Sequence, residues 1–195
     1  MNKKNYISLA NKAANIQINE LKKIKKIFNT SFVNAVDLIL NCKGKVIFAG
    51  IGKSGLIARK ISATFSSVGI PSFFCDPAQA LHGDMGQIER KDILIIFSYS
   101  GNTSELTNML KYANRYRIKI IGVASKPESI LLKASDIKLI LPKVKEADVT
   151  GMVPTSSTTI TLLLGDCLAT TVMYLKNFSK EKFKIFHPGG NIGSS

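Results

Sequence analysis

Residues 45–69 read KVIFAGIGKSGLIARKISATFSSVG, and the way this stretch folds decides the architecture of the whole chain. The run VIFA is apolar at every position, the pattern of a strand buried on both faces rather than one with a wet side. It ends on Gly50. Gly52 and Gly55 follow, and a segment of helical spacing then continues until Gly69 stops it. A buried strand, a glycine-rich turn and a helix form the opening of a βαβ unit. The succession recurs downstream: PSFFC (71–75) reads as a second strand and ILIIFSYS (93–100) as a third, leading into a helix over TSELTNMLKYANRY (103–116). KIIGVAS (119–125) and IKLILP (137–142) are two more strands, with a short helical stretch at about 128–135 between them, and a long apolar helix is predicted at about 157–176. Upstream, Ile7, Ala10, Ala14, Ile18, Leu21, Ile24 and Phe28 step by three or four residues as one face of a long helix. SFVNAVDLIL (31–40) reads as a second helix, with Asn29–Ser31 as a polar break that can cap it. Strands alternating with helices imply a parallel sheet covered on both faces, an α/β three-layer sandwich preceded by N-terminal helices. One domain over 1–195 is expected, with helices to about residue 42 and the α/β core from about 43 to 193.

In such a sheet ligands bind beyond the carboxyl ends of the strands. Two of those ends carry candidate loops, AGIGKSG (49–55) and SYSGNTSE (98–105), and KEADVTGMVPTSSTT (145–159) supplies more hydroxyls before the last long helix. Ser98, Ser100, Thr103 and Ser104 surround Gly101, and Glu105 follows them. Ser and Thr cap helices, and an acid in a first turn complements the helix dipole, so each segment alone has a structural explanation. The same groups at a helix N-terminus form a phosphate site. If the three segments share one edge of the sheet, capping alone explains them poorly. Gly50, Gly52 and Gly55 also match the GxGxxG of a dinucleotide turn, and Asp76, after the next strand, matches its ribose-binding acid. That reading leaves the hydroxyl loop without a role. A P-loop is excluded because position 47, which would need glycine, is Ile47.

The composition excludes several classes. Hydrophobic residues make up 45% of the 195, so a folded domain is expected rather than disorder. Runs such as VIFAGI and ILIIF are too short to span a bilayer, and the polar N-terminus has no apolar signal core, so no membrane partner and a cytoplasmic location are expected. Cys42, Cys75 and Cys167 are odd in number and widely spaced, which fits reduced thiols rather than disulfides or zinc. The net charge of +14 invites a nucleic-acid reading. Against it, only four of the 27 basic residues are Arg (Arg59, Arg90, Arg115, Arg117), and the lysines are scattered apart from KKIKK at 22–26. No recognition motif interleaves them, and no nucleic-acid partner is expected. A general attraction for anions suits a phosphorylated substrate equally well.

Five ionisable residues stand in informative places. Lys53 lies in the glycine turn, His82 in ALHGDMG, His187 in FHPGGN, and Glu105 and Glu146 border hydroxyl-rich segments. Taken singly they read as surface charge, surface imidazoles, a helix-dipole partner and a solvated acid. Taken together they supply a cation, two carboxylates for proton transfer and two imidazoles. Neither histidine has zinc-ligand spacing around it, and no metal is expected.

KGKVIFAGIGKSG, LHGDMG, SYSGNTSEL, KEADVTGMVPTSSTTITLLLGD and HPGGNIG resemble, in order and spacing, the sugar isomerase (SIS) domain of arabinose-5-phosphate isomerases, over residues 5–193. The SxSGxTxE element is common to the wider superfamily; GxGKSG with HGDxG, PTSSTT and a terminal HPGG is more specific. The resemblance implies an aldose–ketose isomerase that interconverts D-ribulose 5-phosphate and D-arabinose 5-phosphate through an enediol and feeds synthesis of Kdo for lipopolysaccharide. It assigns catalysis to Lys53, His82, Glu105, Glu146 and His187. It assigns phosphate binding to Ser54, Ser98, Ser100 and Thr103, with Ser156 and Ser157 as neighbours. No cofactor is implied. A homo-oligomer, with a tetramer favoured, is implied, with His187 reaching the site from a neighbouring subunit. Longer members continue past HPGG into a pair of CBS domains; the expectation here is an SIS domain without them, either as a CBS-less isomerase or as a shortened form of a longer protein. Either glutamate could be the base; Glu146 is favoured because Glu105 begins a helix, where the dipole makes it a poorer proton acceptor. The alternatives are another SIS isomerase acting on heptose or hexulose phosphates, and a non-catalytic sugar-phosphate-binding regulatory module.

Overall fold

The computed structural model describes residues 3–188. Five parallel strands form one sheet: β1 (Val46–Gly50), β2 (Ser72–Phe74), β3 (Ile93–Phe97), β4 (Lys119–Ala124) and β5 (Ile137–Ile140), in the order β2-β1-β3-β4-β5. Their alternation explains why the sequence runs are apolar throughout. Val46 and Phe48 of β1 and Ile93, Ile95 and Phe97 of β3 enter one core, while Ile47, Ala49, Leu94 and Ile96 enter the other. Both faces of β1 and β3 are dry, as central strands of a parallel sheet between helical layers require, whereas the edge strands β2 and β5 are only partly covered.

One layer contains α2 (Thr30–Leu40), α3 (Gly52–Ser67) and α7 (Ser156–Leu175); the other contains α4 (Pro77–Ala80), α5 (Thr107–Arg115) and α6 (Ile130–Ala134). The remaining helices are α1 (Lys3–Leu21), which lies against α7, and the short α8 (Lys180–Phe186). By length and composition α7 could cross a bilayer, but Ile160, Leu164, Leu168 and Val172 are wholly buried in the core it shares with α3. The two helices approach so closely at Gly165 that a Cβ there would stand 2.1 Å from Cδ1 of Ile61.

The three-layer sandwich, the five strands and the positions of the major helices match the sequence reading. Three details differ. The first helix does not run unbroken to Phe28: at Leu21 it tightens into a 3₁₀ turn, Lys22–Ile27. That tightening puts Ile24 and Ile27, three residues apart, on one side, where both are buried. Ile7 and Ile18 of the expected apolar stripe stay exposed, because nothing among the described residues covers that part of α1. Downstream, the helix after the hydroxyl row starts as a 3₁₀ turn, Ser104–Leu106, before α5 takes over. The expected capping of α2 is present: Asn29 Oδ1 accepts from Ser31 N–H at 2.9 Å.

The turn from β1 into α3 is held by backbone proximity. Gly52 has φ of +57°, and a Cβ on Gly55 would stand 2.6 Å from the carbonyl oxygen of Gly50. Only backbone lies in its way, so the overlap cannot be relieved by a side chain turning aside. Gly55→Ala is therefore expected to destabilise the fold by about 1–3 kcal/mol, at roughly 2–4 °C of melting temperature per kcal/mol in a domain of this size. A calorimetric or fluorescence melt checks it.

Candidate active site

The strand order reverses direction at β1, with β2 on one side and β3 on the other. At that switch point the loops after β1 and β3 diverge and leave a crevice at the carboxyl edge of the sheet. The crevice is filled out by the segment before α7 into an open cavity of about 790 Å³. Lys53, Ser54, Ser98, Ser100, Thr103, Glu146 and Ser157 all line it. Residues from three separate parts of the sequence thus meet on one edge, the condition under which capping stops being a sufficient account of them.

The hydroxyl row is a built loop. Ser98 Oγ and Thr103 Oγ1 share a hydrogen bond of 2.8 Å across it, and Gly101 N–H donates to Ser98 Oγ at 3.1 Å. Gly101 has φ of +70°, and a Cβ there would stand 2.2 Å from Ser129 Oγ, so the backbone turns where no other residue fits. Thr103 occupies the cap position of the Ser104–Leu106 turn, yet its hydroxyl caps nothing and faces Ser98 instead. Ile51, the cap residue of α3, likewise has no side-chain bond to that helix. The first turn of α3, carrying Lys53 and Ser54, therefore presents its N–H groups and a lysine to the cavity.

Glu146 is held at the start of α7. Its Oε2 accepts from Thr155 N–H at 2.8 Å, Thr155 Oγ1 at 2.9 Å and Ser157 N–H at 3.2 Å, so the carboxylate caps a helix that the cap residue Thr155 does not cap itself. Burial alone would raise its carboxyl; the hydrogen bonds from Ser157 and Thr155 together outweigh burial and hold it below the usual glutamate range. Glu105 is also held low, chiefly by its own backbone N–H in the first turn and then by the Ser104 hydroxyl. The helix-start argument thus applies to both glutamates, and position distinguishes them: Glu146 lines the cavity and Glu105 does not.

Four other expected site residues lie outside the lining. Glu105 is exposed on the Ser104–Leu106 turn, its Oε2 accepting from Ser104 Oγ at 2.8 Å. His82 is exposed on the turn after α4, and α4 packs beside that same Ser104–Leu106 turn. His187 ends α8, its ring stacked 3.9 Å from Phe183 and its Nδ1 2.8 Å from the Phe183 carbonyl. Ser156 is wholly buried under the first turn of α7, and its hydroxyl has no partner among the described residues. The two glycines of the HPGG element lie outside the described residues.

Sequence reasoning missed other lining residues. Tyr99, Ser125, Lys126 and Lys143 all face the cavity. Lys126 was findable, because it follows the β4 strand by the same rule that singled out the loops after β1 and β3. Tyr99 stands inside the hydroxyl row, where spacing alone does not distinguish it from its neighbours. Three lysines and one carboxylate among the described lining residues give the cavity a positive balance, suited to an anionic ligand. Cys75 offers no nucleophile nearby: burial first, then Asp84 and Asp76, push its thiol up to about 11.

Because the Glu146 carboxyl is held low in the fold, it contributes stability that is complete above its unfolded value and is lost as pH falls through its folded value. Glu146→Ala is expected to cost about 0.5–2 kcal/mol at pH 7, the usual effect of losing a helix cap. The gap to wild type should close as the pH is taken down from 4.5, the ordinary glutamate value. Urea denaturation at a series of pH values measures it.

Comparison with known proteins identifies the family. The SIS domain family matches residues 39–171. The chain is 42% identical over 173 residues to arabinose 5-phosphate isomerase KdsD of Shigella flexneri, covering 89% of this chain and 53% of that protein. It is 41% identical over all 195 residues to the uncharacterized protein RP505 of Rickettsia prowazekii, of which it covers 61%. The chain thus spans little more than half the length of these curated relatives. Among solved structures, that of E. coli CFT073 c3406 in complex with arabinose 5-phosphate superposes with a TM-score of 0.93 at 34% identity, covering 96% of this chain and 100% of that one. With a family match over more than half its length and a relative of this identity covered end to end, the chain belongs to the SIS domain family.

Proposed function

We propose that this chain is an arabinose-5-phosphate isomerase domain, an intramolecular oxidoreductase that interconverts D-ribulose 5-phosphate and D-arabinose 5-phosphate. The observation that carries the reading is the meeting of the hydroxyl loop, Lys53 and Glu146 around one cavity at the switch point. The similarity to KdsD and to a protein crystallised with arabinose 5-phosphate supports the choice of sugar over heptose or hexulose phosphates and over a regulatory module.

In this scheme Ser98, Ser100 and Thr103, with Ser54 and the N–H groups at the start of α3, hold the phosphate. Ser157 lines the cavity beside Glu146, and Ser156 lies buried beneath it under the first turn of α7. Anchoring the phosphate fixes the distance to C1 and C2 at the other end of the open-chain sugar. Glu146, already ionised, takes the proton from C2 of the aldose. The electron pair forms the C1–C2 double bond of the enediolate, whose negative oxygen is stabilised by the Lys53 ammonium. Glu146 returns the proton to C1 while the hydroxyl proton of O2 moves to O1, giving the ketose. His187, delivered by a neighbouring subunit, and His82 serve ring opening and proton shuttling, and Glu105, on the Ser104–Leu106 turn, faces the sugar. No step passes through a metal or an organic cofactor.

A homo-oligomer, with a tetramer favoured, suits the exposed Tyr6, Ile7, Leu9 and Ile18 of α1 and Tyr174 and Leu175 at the end of α7. A cytoplasmic enzyme that supplies arabinose 5-phosphate for Kdo and lipopolysaccharide synthesis is the setting we assign to it.

Incubation with ribulose 5-phosphate in D₂O is expected to give arabinose 5-phosphate carrying deuterium at C2, read by NMR. Glu146→Gln should lower C2 exchange by about 10²–10⁴, whereas Glu105→Gln should lower it less. Lys53→Ala should lose turnover with the fold intact. Equal, full exchange in both glutamine variants would remove proton abstraction from either carboxylate.

A further inference from the structure

Tyr99 sits in the middle of the hydroxyl row, and its hydrogen bonds leave the row in two directions. Its backbone carbonyl accepts from Ser125 N–H at 2.8 Å and Ser125 Oγ at 2.7 Å, which fastens the row to the end of β4. Its phenol crosses the cavity wall to the segment that runs from β5 to α7. There the oxygen accepts from Val144 N–H at 2.9 Å and donates to the Pro142 carbonyl at 3.2 Å. One side chain therefore holds both backbone groups that flank Lys143, three residues before Glu146. Past Glu146 the segment is next held at Ala147, whose N–H donates to Thr155 Oγ1 at 2.8 Å. The phenol is half-buried, and desolvation first, then the Glu146 and Glu20 carboxylates, keep it protonated, so it remains able to donate and accept at once.

We propose that Tyr99 is a positioning residue that ties the phosphate-holding row to the Pro142–Ala147 strap, so that the phosphate anchor and the Glu146 carboxylate keep a fixed separation. The role rests on the isomerase reading for its catalytic consequence, though not for the coupling itself. Both the row and the strap are irregular backbone: Ser98 N–H donates to the Val123 carbonyl at 3.1 Å and the Lys143 carbonyl accepts from Lys23 Nζ at 3.3 Å, but those bonds run to other elements, and the phenol is the contact that joins row and strap directly. Positional slack between an anchored substrate and its base is costly: a displacement of about 1 Å can reduce turnover by about 10². Because the phenol oxygen is engaged as donor and acceptor by backbone groups of the strap, its removal should act on turnover more than on binding. Lys143, held between the two phenol-bonded residues, is kept facing the cavity by the same contact.

The test is Tyr99→Phe, which keeps the ring and deletes only the oxygen, with Tyr112→Phe as a control. Tyr112 also donates its hydroxyl to a backbone carbonyl, that of Ile88 at 3.4 Å, on the opposite side of the sheet. Amide hydrogen exchange in 142–147 is measured on both variants and wild type, together with kcat and KM for arabinose 5-phosphate and the affinity for inorganic phosphate. Tyr99→Phe is expected to speed strap exchange about tenfold or more and to lower kcat about tenfold, with KM and phosphate affinity within twofold of wild type. Tyr112→Phe should leave all four unchanged. Unchanged strap exchange in Tyr99→Phe overturns the proposal whatever the activity does. A faster-exchanging strap with normal kcat overturns the catalytic role, and a parallel fall in phosphate affinity, or the same changes in Tyr112→Phe, reduces Tyr99 to a structural residue. Wild-type protein that binds phosphate but turns over neither pentose phosphate defeats the isomerase reading instead, and strap exchange then decides the coupling alone.

Discussion

A parallel sheet sends the carboxyl end of every strand to the same edge, and everything functional in this molecule follows from that constraint. β1 pairs with β3 from Val46 opposite Ile93 to Gly50 opposite Phe97, so the two strands finish level. The chain that leaves β1 turns into α3 on one side of the sheet, and the chain that leaves β3 heads for α5 on the other. The gap between those departures is obligatory, because the two loops cannot both cover it. The sequence places its glycines where backbone must turn sharply and its hydroxyls where backbone donors are left over. A site for an anion is thus the local solution to a topological problem before it is a device for chemistry.

The electrostatics of the edge follow the same logic. Helix starts leave N–H groups without partners, and the protein satisfies them unevenly. At α7 the unmet donors are given to Glu146, whose carboxylate is held ionised by them. At α3 no side-chain cap is supplied, and Lys53 adds positive charge to the same place. One side of the cavity therefore carries a committed anion and the other an uncommitted positive field. On the proposed function, that polarity sets an anionic ligand with its charge toward α3 and the hydroxyl row and its other end toward Glu146.

Much of this was legible in the sequence because it is written in short-range patterns. Continuous apolar runs gave the buried strands, glycines marked the turns, and the rule that ligands sit beyond strand ends selected the segments containing Lys53, Ser98–Thr103 and Glu146. What stayed hidden depends on distance in space rather than spacing along the chain. Nothing near Tyr99 in the sequence indicates that its hydroxyl reaches residues 142 and 144, and nothing near Glu146 shows that it caps a helix starting ten residues later. The 3₁₀ turn at Lys22–Ile27 escaped for another reason: spacings of three and four residues suit an α-helix, and only tertiary burial of Ile24 with Ile27 favours the tighter form. His82, Glu105 and His187 are the reverse case. Motif resemblance singles them out, while the single chain leaves them outside the cavity lining.

The double duty of Glu146 bears on how such a chain is read across evolutionary time. A residue that caps α7 and, on the proposed function, also serves as the base is under two selections, and relaxing one leaves the other in force. A lineage that abandoned turnover would go on keeping an acid at this position for the sake of the helix. Lys53 enjoys no such protection: it is exposed and has no ion-pair partner among the described residues, so drift would be free to erase it once it stopped serving the ligand. In descendants of this fold the exposed lysine is therefore the more informative witness to surviving function, and the better-anchored glutamate the less informative one.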